Sequence, residues 1–159
     1  MATLPQIIEE DIRSLNETLR QFIAKTDTVA ALLIDRGGFV ITHMGDQQGE
    51  FDVTTIAALA SGAFLANQTI AGLVKETKFD SIYQQGEQFS MFVISVDEQA
   101  LLVAIFKSQA GVGVVKYFAA NAVKSLARQL KVASERAPGE GLDLSVLNVT
   151  NATPFFKRK

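Results

Sequence analysis

The stretch that decides the fold is VTTIAALASGAFLANQTIAGLV, residues 53–74. It contains no charged residue, whereas Asp52 precedes it and Lys75 follows it directly. A surface helix normally keeps one apolar stripe for the core and a charged stripe for water. This stretch has the length of a helix but nothing charged to present to solvent. It therefore predicts either a helix buried within its own protein or a helix that is a contact surface for a partner.

The same stretch is long enough to cross a bilayer, which takes about 20 residues. Several polar side chains would then lie in hydrocarbon, with few large apolar residues to offset them. They are Thr54, Thr55, Ser61, Asn67, Gln68 and Thr69. We therefore expect no membrane span. The first residues also lack the basic and apolar segments of a secretion signal, so we expect a cytoplasmic protein.

The composition excludes several classes of function. The 159 residues suit one domain, and the net charge of −2 argues against nucleic acid as a partner. The absence of cysteine excludes disulfides and thiolate metal sites, and His43 is the single histidine. Residues 107–113 hold two glycines before a helix, but they lack the Gly-Lys-Ser/Thr ending of a phosphate loop. We predict no catalytic residue, no cofactor and no metal, and hence no enzyme.

Apolar periodicity and turn residues predict the elements on either side of the central stretch. In order they are a helix over 3–25 capped by Thr3, a hairpin of strands over 29–34 and 39–43, the central helix capped by Asp52, a meander of strands over 81–85, 89–96 and 100–106, and a helix over 112–133. Short connections favour one five-stranded antiparallel sheet with helices on both faces, an α+β domain. We assign residues 1–134 to this domain and 135–159 to a linker and a flexible tail.

A helical wheel divides the central helix into two sides. The side assigned to the sheet contains Ile56, Leu59, Ala63, Asn67, Ile70 and Val74. The opposite side contains Ala58, Ser61, Leu65, Thr69 and Gly72. Because two other long helices must cover two sheet faces, we expect this second side to lie against a partner rather than against the same chain.

An ordered set of segments resembles the roadblock/LC7 domain family, and within it the bacterial MglB-like regulators of the Ras-like GTPase MglA. The segments are LLIDRGG at 32–38, FDVTTIAALASGA at 51–63, residues 79–87, LLVAIF at 101–106 and GVVK at 113–116. The resemblance spans roughly residues 8–130. It implies the roadblock/LC7 (profilin-like) fold, with the element order α-β-β-α-β-β-β-α.

The resemblance also implies a homodimer in which the central helices pair antiparallel and the third strands join into one continuous sheet. In MglB-like members the paired helices bind one GTPase per dimer and stimulate GTP hydrolysis without supplying an arginine finger. By this analogy the GTPase-binding residues are Ala58, Ser61, Leu65, Thr69 and Gly72. By the same analogy we expect the dimer interface to contain Ala57, Phe64, Gln68, Phe79, Ile82 and Tyr83.

Two other functions remain open from the sequence. One is an adaptor or scaffold in cell polarity or motility, which docks partners through its sheet or its C-terminal tail. That tail ends FFKRK at residues 155–159, and it is a candidate docking segment for a further protein. The other is a small-molecule sensor, because related profilin-like sheets carry ligand pockets.

Overall fold

The computed structural model describes residues 6–136, and these form three long helices and five strands. In chain order they are α1 (Glu9–Thr26), β1 (Thr28–Asp35), β2 (Val40–Gly45), α2 (Val53–Leu73), β3 (Ser81–Gln84), β4 (Phe89–Ser95), β5 (Ala100–Lys107) and α3 (Val112–Glu135), with a short 3₁₀ turn at Ser108–Ala110. This order confirms the predicted sequence of elements, α-β-β-α-β-β-β-α.

The five strands form one antiparallel sheet in the order β2-β1-β5-β4-β3. Strands β1 and β5 lie at its centre, where Leu32 pairs with Val103. Both strands are apolar along most of their length because both faces of the sheet are covered there. Strands β2 and β3 are the two edges of the sheet within the described residues.

Alternate residues of the central strands face two separate cores. Ala31 and Leu33 pack against α1 and α3, which lie side by side on one face of the sheet. Leu32 and Ile34 pack against α2, which lies on the other face. Within residues 6–136 no other helix lies on the α2 face. The expectation that α2 lacks cover from its own chain is therefore correct for this part of the protein.

The predicted start of α1 is wrong. The helix begins at Glu9, and the backbone N–H of Ile8 donates to Asp11 Oδ2 at 2.9 Å, so a carboxylate in the first turn satisfies an N-terminal donor. Gln6 is not helical. The predicted cap Thr3 and the predicted tail over 137–159 lie outside the described residues.

A buried ion pair joins the start of α1 to the end of α3. Arg136 Nη1 and Nη2 donate to the two carboxylate oxygens of Asp11 at 2.8 and 2.9 Å, and Gln129 Nε2 donates to Asp11 Oδ1 at 2.8 Å. Asp11 is 1% exposed. The hydrogen bonds from Arg136 are the main reason that the pKa of Asp11 falls from 3.8 to about 2. The two ends of the described chain are thereby fixed together.

We expect Asp11→Asn to lower the free energy of unfolding at pH 7 by about 2–4 kcal/mol, because it removes the buried carboxylate that accepts both hydrogen bonds from Arg136. The native pKa of Asp11 lies below its unfolded value, so its contribution is complete above pH 4 and is lost as the pH falls towards 2. Urea denaturation between pH 7 and pH 2.5 should therefore show the difference from the unsubstituted protein shrinking in acid.

The matched control is Glu9→Gln, which removes a pair with Arg13 that is more than half exposed. Such pairs contribute about 0–1 kcal/mol. Equal effects of the two substitutions at pH 7 would contradict the assignment of the Asp11 pair as a stabilising contact.

Candidate functional site

Helix α2 lies on the sheet mainly through small side chains. Ala57, Ala60, Ser61 and Ala71 are buried there, together with the large ring of Phe64. We call these five residues the inner face. Since alanine and serine hold neighbouring backbones only a short distance apart, the helix axis lies close to the sheet. Asp52 caps the helix as predicted, accepting from the backbone N–H and the hydroxyl of Thr55 at 3.1 and 2.7 Å.

The predicted rotation of α2 is wrong. Leu59 and Ile70 were assigned to the sheet, but they are 69% and 46% exposed, and Ala63 and Val74 are exposed as well. Ile56 and Asn67 are half-buried at the margin. Every side of this helix is largely apolar, so hydrophobicity alone could not select the side that packs. The side that packs combines four small residues with the single ring of Phe64, and Ser61 binds it to the carbonyl of Arg36.

Two further surfaces of α2 are left exposed by the described chain. The outer face, directed away from the sheet, has small residues at its centre and large ones near its ends: Leu59, Gly62, Ala63, Ala66, Ile70 and Leu73. The flank lies between the outer and inner faces and contains Ala58, Leu65, Thr69 and Gly72, all exposed. Neither surface carries a charge.

Four of the five predicted GTPase-binding residues form the flank, and the fifth needs correction. Ser61 is 3% exposed, and its hydroxyl donates to the carbonyl of Arg36 at 2.5 Å. A side chain held in this way holds the helix to the sheet. It does not form part of a surface that a partner can reach.

The predicted dimer residues divide into buried and accessible ones. Ala57 and Phe64 are 0% and 1% exposed on the side of α2 that faces the sheet, so they belong to the core of the domain. Gln68 is half-buried, and its amide exchanges two hydrogen bonds with the backbone of Phe79, at 2.6 and 3.3 Å. It therefore ties α2 to the segment that leads into β3. Two other predicted residues, Ile82 and Tyr83, are half-buried on the edge strand β3.

Arg36 lies in the turn between β1 and β2 and links three elements. Its Nη2 donates to the Ser95 hydroxyl and to the Asp97 carbonyl, both at 2.7 Å. Its guanidinium lies 5.3 Å from the ring centre of Phe64. Together with the bond from Ser61, these contacts tie the β1–β2 turn to the β4–β5 turn and to α2. The Nε of Arg36 is buried without a partner.

A cleft of about 700 Å³ opens beside Arg36. Its rim carries charges of both signs, including Lys78, Asp80 and Glu98. Because charges of both signs line this open cleft, its lining does not indicate a particular class of small ligand. Among residues 6–136, no three His, Asp or Glu side chains lie close enough together to hold a metal ion.

The β1–β2 turn abuts the flank of α2. A Cβ added to Gly38 would lie 2.9 Å from the Cα of Ala58, closer than real Cβ atoms come. Gly38 also has a φ of +92°, which a side chain would strain. Glycine is therefore required at position 38 for the turn and the helix to touch.

By length and composition, α2 is also the one helix within the described residues that could span a bilayer. Its inner face is nevertheless packed on the sheet through Phe64 and its small neighbours. In this fold the helix lies along the sheet surface as part of the domain.

The model of the Roadblock/LC7 domain family matches residues 15–106, and the chain belongs to this family. It is similar to an MglB solved in a tetrameric arrangement, with 30% identity, a TM-score of 0.77, and coverage of 84% of this chain and 99% of that one. For the gliding protein MglB of Thermus thermophilus the identity is 31% and the TM-score 0.76, with 84% and 100% covered.

Myxococcus xanthus MglB shares the fold, with 24% identity, a TM-score of 0.69, and coverage of 74% and 95%. A search of the curated proteins finds no match to this chain. The roadblock/LC7 fold predicted from the ordered segments is confirmed.

We expect Gly38→Ala to lower the free energy of unfolding by about 1–3 kcal/mol, because the new methyl group meets the α2 backbone and the residue keeps a positive φ. Thermal or urea denaturation measures this. The control is Gly113→Ala in α3, where an added Cβ meets nothing within 4 Å. That change should be neutral or stabilising by up to about 1 kcal/mol. A Gly38→Ala protein as stable as the control would contradict the close contact between turn and helix.

Proposed function

We propose that this protein is a homodimeric regulator of a Ras-like GTPase of the MglA type, which it binds through paired α2 helices and stimulates to hydrolyse GTP. The observation that carries the proposal is the uncharged outer surface of α2, exposed in a chain that is 30–31% identical to MglB proteins. A surface of this kind favours an interface over permanent contact with water.

The outer face of α2 is suited to a second copy of itself. In an antiparallel pair with its two-fold axis at Ala66, Leu59 lies opposite Leu73 of the second copy. Gly62 then lies opposite Ile70, so that a small residue meets a large one. The two helices can approach closely at Ala66, and the same contacts repeat on both sides of the axis.

The energy of the helix pair alone is marginal. Full burial of Leu59, Ile70 or Leu73 contributes about 1.5–3 kcal/mol each. Three such residues from each copy give a sum of the same order as the association cost of about 4–15 kcal/mol. A stable dimer therefore needs more, and pairing of the two β3 edges would supply backbone hydrogen bonds through residues such as Ile82 and Tyr83.

The flank remains exposed when the outer faces pair, so it is available to a GTPase. No arginine occurs between Val53 and Leu73, and the guanidinium of Arg36 is held by Ser95 and Asp97. These observations favour stimulation by ordering the switch regions of the GTPase rather than by supplying an arginine finger.

We expect Ala66→Arg to convert the dimer to a monomer, because it places two charges against each other at the two-fold axis. Light scattering coupled to gel filtration measures the mass. Val132→Arg is the matched control, on an α3 surface that is also exposed, and it should leave the mass unchanged. A dimer that survives Ala66→Arg would overturn the α2 pairing.

We expect Leu65→Arg to lower the affinity for the GTP-bound GTPase by about tenfold or more, because the new charge must be desolvated in the complex. The dimer mass should not change. Leu65 and Val132 are both 51% exposed on helices, so Val132→Arg again serves as the control. Binding is measured by titration with a GTPase loaded with a non-hydrolysable GTP analogue, and hydrolysis by phosphate release.

Two results would redirect the proposal. Binding that survives Leu65→Arg would exclude the flank as the contact surface. Binding to the GTPase without faster phosphate release would favour the adaptor role over the activating one.

A further inference from the structure

The charges of this chain are unevenly divided along the sequence. Residues 26–98 carry ten acidic and three basic side chains, although the net charge of the whole chain is only −2. Between Glu98 and Glu135 there is no acidic residue, and the basic residues in this stretch are Lys107, Lys116, Lys124, Arg128 and Lys131. Such an asymmetry predicts a locally basic surface on an otherwise acidic protein.

Four of these cations lie on the exposed side of α3. At about 100° per residue, all four fall within an arc of about 120°. The arc lies opposite the buried side of the helix, which contains Val115 and Leu126. We call this set the basic ridge; it consists of Lys116, Lys124, Arg128 and Lys131, and all four residues are exposed.

Most of the charge on the basic ridge is not neutralised by the chain itself. Lys131 lies 3.8 Å from the carboxylate of Glu135. Among residues 6–136, Lys116, Lys124 and Arg128 form no ion pair within 4 Å. Three of the four cations are therefore available to an external anion.

The neighbouring helix α1 does not cancel this charge. Its exposed charged residues are balanced, with three of each sign: Glu9, Glu10, Glu17, Arg13, Arg20 and Lys25. Two pairs of them bind each other, Arg13 with Glu9 and Arg20 with Glu17. The face of the sheet that α1 and α3 cover therefore keeps the positive charge of α3.

An exposed aromatic ring stands among the cations. Tyr117 is 67% exposed, and the edge of its ring packs against Phe118 with 5.1 Å between the ring centres. On the helical wheel it lies about 20° from Lys124. An aromatic ring with a polar tip, surrounded by cations, suits the headgroup layer of a membrane, where one end is apolar and the other wet.

The shape of the basic ridge favours a flat partner. Lys116 and Lys131 are about 22 Å apart along the helix axis, at 1.5 Å per residue. The cations stand on the convex side of the helix, where a flat array of anions can contact all of them together. A single bound peptide would need walls on both sides to be held along such a ridge.

The proposed dimer would double this surface. If both α2 helices lie on one face of a joined sheet, both α3 helices lie on the other face. The two basic ridges then point in the same direction. This doubling rests on the proposed function, whereas the basic ridge of a single protomer does not.

We propose that the basic ridge of α3 binds the surface of a membrane that contains anionic lipids. The lipid phosphates contact Lys116, Lys124 and Arg128, and the ring of Tyr117 enters the headgroup layer. Each cation near an anionic lipid surface strengthens binding by about fivefold. In this orientation α2 lies on the side of the sheet away from the membrane, where a GTPase can reach it.

The first test is sedimentation of the full-length protein with vesicles of phosphatidylcholine, with and without phosphatidylglycerol. We expect binding only where phosphatidylglycerol is present, and loss of that binding in about 1 M salt, which screens charges beyond about 3 Å. Combining Lys116→Gln, Lys124→Gln and Arg128→Gln should weaken binding about a hundredfold. Absence of binding by the unsubstituted protein would overturn the proposal, as would retention of its affinity by this triple variant.

A matched control removes the same charge from outside α3, by Lys75→Gln, Lys78→Gln and Lys107→Gln. All three lysines are exposed, and this variant should keep most of the affinity. An equal loss in both triple variants would show that only the net charge matters, which contradicts a defined surface. The chain end also carries cations, so Lys157→Gln, Arg158→Gln and Lys159→Gln form a third variant. If this variant alone loses binding, the contact lies at the chain end and the basic ridge is wrong.

A second test reports the orientation. The chain contains no tryptophan, so Tyr117→Trp and Leu65→Trp each introduce a single fluorescent probe. Vesicles with phosphatidylglycerol should shift the emission of Tyr117→Trp to the blue and leave that of Leu65→Trp unchanged. A blue shift at position 65, on the opposite side of the sheet, would contradict the orientation.

The outcomes separate this proposal from the proposed function. If the protein binds vesicles but no GTPase, the proposed function fails and the membrane contact stands. If it binds the GTPase but no vesicle, the membrane contact is wrong and the proposed function stands. If duplex DNA binds and vesicles do not, the basic ridge binds another class of polyanion and the proposal is wrong.

Discussion

The packing of the inner face of α2 on the sheet determines which residues of the helix are exposed. Alanines at 57 and 60 are buried against β1 and β5 and let the helix backbone approach the sheet there, while the ring of Phe64 fills the space next to them. The larger aliphatic residues are consequently left outside. The apolar surface of the protein is thus a consequence of tight packing beneath it, and a bulkier inner face would require a different rotation of the helix.

Arg36 stabilises this orientation of α2 about its own axis through contacts with two residues of the inner face. Its guanidinium stacks on Phe64 from the inner face and binds the β4–β5 turn, while its carbonyl accepts from Ser61. Leaving Nε buried without a partner costs some stability, and the remaining contacts offset this cost. A lysine at position 36 would keep the charge but lose the planar group that reaches Ser95 and the Phe64 ring at once.

The sequence predicted the order of elements because local signals carry it: apolar runs of strand length, turns such as that at 35–38, and the Asp52 cap. The rotation of α2 was not predictable in the same way. A helical wheel identifies the packed side by the contrast between apolar and charged side chains, and this helix has no charged residue. The start of α1 depends on Asp11, whose partner Arg136 lies 125 residues away. Arg36 likewise acquires its position from contacts with distant segments, at Ser95, Asp97 and Ser61.

The ion pair between Asp11 and Arg136 has a mechanical consequence. A protein that gripped the chain beyond residue 136 would pull on a side chain that is held by two hydrogen bonds in a buried site. The load would pass into α1 and α3 together, on the face of the sheet away from α2. Tension applied at that end of the domain would therefore enter the protein on the face of the sheet opposite the exposed surface of α2.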